Sequence, residues 1–302
     1  MANTISYASK YAPELDKMIA QEAKTGFLAD NALKARFSGA RSVFLPELSM
    51  VGLGNYNRTD GYAKGDVTLT HTEYTLTQER SRQLFIDAQD ADESGVPDLA
   101  GKMVGEYTRT QVIPEIDAYV MATLYGHARQ NTNPYSDDTA VASLIAAING
   151  AEAAMEYDGS TSLVAFVDPT MYNILMTSTE LQRYIAISDF KQGEVNMKVK
   201  NLNGCAIIPV AASRMKTGIT LDPGATPSAG GFAPSTTGNI RALVLPRDSA
   251  SLIKKVDKVD MYSPKEVIDR DGYVINFRLY YDLIVKNSRK NTIFAVATGD
   301  LG

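Results

Sequence analysis

Residues 66–93 (DVTLTHTEYTLTQERSRQLFIDAQDADE) contain neither glycine nor proline and are rich in Thr, Val, Tyr and Ile, a composition that favours extended chain throughout. Yet between Thr70 and Gln83 neither alternating face is apolar, and Leu76 stands alone among His71, Glu73, Gln78, Glu79, Arg80 and Arg82. An ordinary strand runs about 5–6 residues, whereas residues 67–86, if continuous, would reach about 68 Å. Burial of apolar surface is the main force that holds a strand in a domain. A polar ribbon of this reach is therefore expected to lie against something outside its own domain. Another copy of the same chain is the simplest candidate, and this points to assembly rather than to a self-contained enzyme.

The ribbon has a partner limb upstream. Residues 42–51 (SVFLPELSMV) alternate, and residues 52–65 (GLGNYNRTDGYAKG) carry four glycines and two asparagines, the composition of a flexible tip. Together they predict a long projecting β-hairpin. Before it, Leu15, Met18, Ile19 and Ala23 fall at helical spacing, a short amphipathic helix ending near Gly26 within an N-terminal arm. After it, the acidic cluster Asp87, Asp90, Asp92 and Glu93, followed by Pro97, predicts a helix start. Helical spacing then persists to about Arg129, with Pro114 as a kink or a fresh start. Residues 137–157 give a clear amphipathic helix with Val141, Leu144, Ile145, Ile148 and Met155 on one face. Strands are predicted over 163–167, 197–210, 239–245, 252–262, 272–285 and 292–296, and a short helix opens at Asp168-Pro169. Residues 218–238, rich in Gly, Pro, Ser and Thr, predict an exposed loop.

Composition excludes several functions. The 44% apolar content over 302 residues supports one large or two smaller folded domains. A net charge of −5 argues against tight phosphate binding across the surface. The single cysteine, Cys205, cannot form an internal disulfide. The first residues lack the apolar segment of a secretory signal, and no run of about 18 apolar residues offers a membrane span.

Motifs that invite chemistry fall short of it. Asp90-x-Asp92-x-Ser94-Gly95 opens like a calcium loop, but its twelfth position, where a bidentate Glu belongs, is Gly101. Charge complementarity at a helix start accounts for these acids. His71 and His127 fall on different elements, Cys205 has no basic neighbour, and the Gly230-Gly231 stretch lacks a phosphate loop's Lys-Ser/Thr ending. Lys254, Lys255 and Lys258, and Lys286, Arg289 and Lys290, read as solvated strand faces. No catalytic residue, cofactor or metal site is expected. The enzyme alternative is a metal-dependent hydrolase built on the acids between Asp87 and Glu93.

The order of arm, long hairpin, long helix, compact α/β region and closing strands resembles the major capsid protein of tailed bacteriophages, with the Hong Kong 97-type fold. Three stretches carry the resemblance: 74–93 (YTLTQERSRQLFIDAQDADE), 112–119 (VIPEIDAY), and 271–285 with 286–296 (DGYVINFRLYYDLIV, KNSRKNTIFAV). They look like the second limb of that family's extended loop, the middle of its spine helix and its closing strands. The resemblance implies an α+β fold with an N-terminal arm over 1–41 and an extended loop, or E-loop, over 42–94. It further implies a peripheral domain over 95–129 and 252–291, and an axial domain over 130–251 and 292–302.

The function so implied is self-assembly into hexamers and pentamers that close an icosahedral shell around double-stranded DNA, without sequence-specific binding. Lys64, Glu73, Glu79, Arg80 and Arg82 of the extended loop are the expected intersubunit contacts. No scaffolding segment of a hundred or so residues precedes the arm, which implies a separate scaffolding protein or an already processed chain, beside a portal and decoration proteins. Assembly would take place in the host cytoplasm, with the virion as destination. Some relatives join subunits by a lysine–asparagine bond; Lys64 is the only lysine of the extended loop and Asn287 or Asn291 would be its partner. That bond also needs a carboxylate in an apolar pocket, which the sequence does not place there. A bacterial nanocompartment shell is the alternative within the same fold, distinguished by cargo protein in place of DNA.

Overall fold

Apolar runs without alternation form strands only where both faces of a sheet are covered. Leu163–Val167 (LVAFV), fully buried, is such a run. The computed structural model describes residues 22–30, 36–38, 42–56, 58–59, 61–89, 99–130, 134–135, 141–156, 162–178, 185–192, 195–226, 228–235, 238–267 and 271–299. In chain order the elements begin with α1 (Phe27–Asp30), β1 (Arg36–Ser38), β2 (Ser42–Met50), β3 (Val67–Thr75) and β4 (Gln78–Asp87). Next come α2 (Leu99–Tyr107), a π-helical turn over Thr108–Val112, α3 (Ile113–Gln130), β5 (Pro134–Tyr135) and α4 (Val141–Ala154). β6 (Leu163–Val167), α5 (Pro169–Thr177), β7 (Ile185–Gln192), β8 (Val195–Leu202) and β9 (Cys205–Pro209) follow. The chain closes with β10 (Ile219–Leu221), β11 (Phe232–Pro234), β12 (Asn239–Pro246), β13 (Ala250–Tyr262), β14 (Gly272–Val285), a 3-10 turn over Asn287–Thr292 and β15 (Phe294–Thr298).

A seven-stranded sheet in the order β5-β15-β12-β6-β9-β8-β7 forms one body. Its central strands divide their side chains between two cores. Val164, Phe166, Ile208 and Leu243 join α3 on one side, whereas Ala165, Val167, Ile207 and Val244 meet α4 and α5 on the other. A three-stranded sheet, β13-β14-β4, is the second body, and α3 shares the first core with it through Ile116, Val120 and Leu124. A third sheet, β1-β2-β3, is the hairpin with a short strand of the arm along its edge.

The long helix is continuous through Pro114, not broken there. The Ile113 N–H donates to Thr108 O, five residues back, and the wide turn accommodates a proline that lacks a donor and crowds the carbonyl four residues before it. Thr108 and Thr110 donate their hydroxyls to the Val104 and Glu106 carbonyls at 2.9 and 2.8 Å. At α5 the expected Asp-Pro start is present, with Asp168 accepting from the Met171 N–H at 2.7 Å.

Four expectations need correction. The predicted strand over 197–210 is a hairpin of β8 and β9, turned at Asn203 and Gly204, both at positive φ (52° and 84°). Asn-Gly is the residue pair a tight hairpin turn demands. The loop over 218–238 contains the short β10–β11 hairpin, and β7 pairs along β8 where no strand was expected. The ribbon, finally, is two strands in two sheets: β3 pairs with β2, and β4 with β14 from Gln78↔Tyr281 to Asp87↔Gly272. Half of it therefore finds its burial partner within its own chain. The proposed arm helix before Glu22, and Asp90, Asp92 and Glu93 of the acidic cluster with the helix start at Pro97, lie outside the described residues, whereas Asp87 ends β4.

Two glycines test this packing. A Cβ on Gly272 would sit 2.3 Å from the Ile86 carbonyl, against rigid backbone of β4, so Gly272→Ala is expected to destabilise the folded chain by about 1–3 kcal/mol. Gly126, inside α3 with nothing within 4 Å, is the contrast: Gly126→Ala is expected to stabilise by about 0.5–1 kcal/mol. Urea unfolding of the two variants measures both signs.

Candidate assembly interface

Among the described residues, exposed large hydrophobic side chains concentrate in one place. Met50, Val51, Leu53, Tyr56, Tyr62, Val67 and Leu69 all belong to the hairpin end, and Phe85 and Met103 are the only others. Leu53 is 107% and Tyr62 87% exposed, so the subunit offers them no cover at all. A contiguous apolar patch at the end of a projecting element marks an interaction surface. The patch is preformed: Tyr56 and Tyr62 meet edge to face at 5.2 Å. Gly54 passes so close to Ala63 that a Cβ would lie 2.6 Å from its methyl, and Gly61 takes a φ of 80° that suits glycine. Lys64 and Glu73 are exposed on the same hairpin.

The hairpin leaves the body at Leu76 and Thr77. Leu76 is buried with Val43, Ile253, Tyr280 and Ile284. Below this joint, the face of β4 that carries Arg80, Arg82 and Leu84 is half-buried, and its charges are satisfied within the chain. Arg80 makes a two-pronged contact with Glu115 of α3, Nε to Oε1 at 2.8 Å and Nη2 to Oε2 at 3.2 Å. Its Nη1 donates to Asp222 O at 2.8 Å and its Nη2 to Gly231 O at 3.3 Å. Arg82 donates to Ala229 O at 2.8 Å. On the opposite face, Glu79 accepts from Arg278 at 2.6 Å and from the Tyr280 hydroxyl at 2.6 Å. Of the five residues expected at intersubunit contacts, Glu79, Arg80 and Arg82 thus have partners in their own subunit. Sequence spacing could not locate these partners, because Glu115, Arg278 and the 222–231 loop lie far along the chain. A cleft of about 450 Å³ remains between β4, the π turn and that loop.

The segment that leads into α1 is tied to the same helix. Asp117 of α3, fully buried, accepts from the Lys24 and Thr25 N–H groups at 3.1 Å each and from Thr25 Oγ1 at 2.7 Å. Arg214 closes its charge at 2.8 Å. Arg109 holds Glu22 at 2.8 Å, and that contact lowers the Glu22 carboxyl below its ordinary range.

The remaining candidates stay separate. His71 is exposed on β3, and His127 is half-buried on α3, where burial and then Lys290 lower its pKa. Cys205 is buried, which pushes its thiol well above the usual value, the opposite of a reactive thiolate. Among the described residues no group of three His, Cys, Asp or Glu could hold a metal ion, and no helix is long and apolar enough to cross a membrane.

No protein-family model matches this chain, and no curated protein matches it. Solved structures do. The mature capsid of bacteriophage PhiM1 matches with a TM-score of 0.57 at 13% identity, over 87% of this chain and 83% of that one. The acid-stable capsid of Helicobacter pylori bacteriophage KHP30 matches with a TM-score of 0.57 at 11% identity, over 92% and 91%. The capsid of cyanophage P-SCSP1u matches with a TM-score of 0.56 at 14% identity, over 87% and 85%. The chain has the Hong Kong 97-type capsid fold, an α+β architecture, as the sequence resemblance implied.

The helix–sheet contact around Glu115 and Asp282 carries three perturbed phenols. Burial, and then the Glu115 charge, raises Tyr107 and Tyr281; burial raises Tyr119, and the Asp282 charge adds to it. In the unfolded chain these groups release their protons near the ordinary value of about 10. Above that pH the unfolded state binds fewer protons than the folded one, so stability falls as pH rises until the buried phenols themselves ionise. With sixteen tyrosines and no tryptophan, tyrosinate absorbance reports directly on this. Alkaline titration is expected to ionise exposed tyrosines first, and the last fraction only together with loss of secondary structure.

Proposed function

We propose that this chain is the major capsid protein of a tailed bacteriophage, assembling into the hexamers and pentamers of an icosahedral head around double-stranded DNA. The observation that carries this reading is the preformed apolar hairpin tip, uncovered in the subunit, on a fold shared with phage capsids. The seven side chains at the tip need a partner surface, and many identical copies supply it at fixed geometry. Lys64 and Glu73 meet the neighbour from the exposed limbs. Glu79, Arg80 and Arg82, paired inside the subunit, hold the hairpin base, and the exposed charges of the limbs add only about 0–1 kcal/mol per ion pair. Many weak contacts allow misplaced subunits to leave, which a single tight interface would not.

In this reading residues 1–41 are the arm and 42–94 the extended loop. Residues 95–129 and 252–291 make the peripheral domain, and 130–251 with 292–302 the axial domain around each capsomer's symmetry axis. The role is structural and requires no cofactor. A separate scaffolding protein, a portal and decoration proteins complete the particle, and the enclosed DNA is held by containment rather than by sequence-specific contacts.

The test is expression of the chain with and without a scaffolding protein, followed by electron microscopy. Wild-type subunits are expected to give closed shells. Leu53→Asp and Tyr62→Asp are each expected to lower particle yield at least tenfold while changing subunit stability by no more than about 0.5 kcal/mol, because Leu53 is fully exposed and Tyr62 meets only the exposed Tyr56 ring. Normal yields from both variants would remove the tip from the interface. Stable wild-type monomers under both conditions would sink the assembly reading itself.

A further inference from the structure

The hairpin and the body meet at a joint two residues long. β3 ends at Thr75 in one sheet, β4 begins at Gln78 in another, and Leu76 and Thr77 lie between them. Regular strands are stiff, so the direction of the hairpin depends on what holds these two residues, together with Val43, which packs from β2 into the same apolar pocket as Leu76. Leu76 is 3% exposed in its apolar pocket. Thr77 is held by one carboxylate: its N–H donates to Asp282 Oδ2 at 2.9 Å, and its Oγ1 donates to the same oxygen at 2.8 Å. The other oxygen accepts from the Tyr119 hydroxyl and from the Leu283 N–H, each at 2.8 Å.

The place of this carboxylate in the register is informative. The last rung between β4 and β14 is Gln78↔Tyr281, so the next would set Thr77 opposite Asp282. There the Asp282 side chain accepts the amide in place of a backbone carbonyl. The ladder stops at a fixed residue and the chain turns away from the sheet. Tyr119 comes from α3, so the clamp joins the hairpin joint, the β13-β14-β4 sheet and the long helix at one point. The lever is long: the nine residue pairs of the hairpin extend about 30 Å. A rotation of about 10° at the joint moves the tip by about 5 Å, more than the about 4–4.5 Å reach of an apolar contact.

We infer that Asp282, with Thr77 and Tyr119, is a positioning cluster that fixes the angle of the hairpin and thereby the curvature and size of the particle. This rests on the assembly reading, because an angle at the joint has no consequence for a subunit that acts alone. A residue that merely stabilised the fold would change particle yield and melting together. A positioning residue changes particle geometry at unchanged subunit stability.

The experiment compares wild type with Thr77→Val, Tyr119→Phe and Asp282→Asn. Amide hydrogen exchange is read in the unassembled subunit and particle diameter by electron microscopy. Exchange at positions 77 and 78 is expected to quicken at least tenfold in each variant, with β13 and, apart from Leu283, β14 unchanged. Particles are expected to spread over several diameters, with open or misclosed shells, where wild type gives one. The Thr77→Val/Asp282→Asn double variant is expected to be no broader than Asp282→Asn alone. If Asp282→Asn fails to fold, Thr77→Val and Tyr119→Phe decide the matter, since both keep volume and sit at the edge of the network. Wild-type diameters from these two folded variants would overturn the inference while leaving assembly intact. Absence of wild-type particles would overturn the assembly reading and, with it, the claim on particle size.

Discussion

Helix α3 is the member on which the other parts are hung. Its apolar side, with Ile116, Val120, Met121 and Leu124, enters the core it shares with both large sheets. Three polar residues in five positions then each secure a different part. Glu115 holds Arg80 at the hairpin base, Asp117 holds Thr25 of the arm and Arg214 of the 211–215 loop, and Tyr119 reaches Asp282 at the joint. Such buried charges add little net stability, since desolvation offsets most of the attraction. Their effect is geometric. Each carboxylate is surrounded by several donors at defined angles, and only one arrangement of arm, hairpin and loop satisfies them all. The π turn before Pro114 belongs to the same requirement, because it lets one unbroken helix carry the α2 segment and the three anchors.

The two ends of the hairpin obey opposite rules. At the base, polar side chains are paired inside the subunit and Leu76 is buried. At the tip, apolar side chains are exposed and prearranged by the Tyr56–Tyr62 contact and the close pass of Gly54 and Ala63. An ordered tip loses less freedom on docking than a flexible one, so the same apolar area contributes more to association. Rigidity at the joint has the same value, because it presents that ordered tip in one direction.

Much of this was legible in the sequence, for physical reasons that differ by region. Strands β6, β12, β13 and β14 announce themselves by apolar runs or alternation, and α5 by an Asp-Pro start. The hairpin was legible from its glycine-rich tip. The β8–β9 turn was visible too, as Asn203-Gly204, but a run of β-forming residues on either side masked it. What spacing could not show is pairing across long separations. Arg80 and Glu115 are 35 residues apart, and Thr77 and Asp282 are 205 apart. The ribbon therefore read as polar and unsatisfied along its whole length, although β4 is paired with β14 and its charges are met within the chain. The apolar tip was hidden for the opposite reason: glycines and asparagines between Leu53, Tyr56 and Tyr62 gave the signature of a loop, not of a binding surface.

That division of the ribbon also bears on how such a subunit survives before it meets its neighbours. A long strand satisfied only by other copies would leave an extended edge open in the free chain, and open edges pair indiscriminately. Here β4 is paired along ten residues with β14, and the chain leaves the sheet at a clamped joint rather than at a frayed end. At the hairpin end the exposed apolar residues are interleaved with Asn55, Arg58, Lys64 and Asp66. Charges and glycines around an apolar patch penalise contacts that do not match it. Most of the exposed large apolar side chains among the described residues are thus gathered at the one place where direction is controlled. Attraction is supplied by the tip, selectivity by its polar neighbours, and geometry by the residues that hold the base.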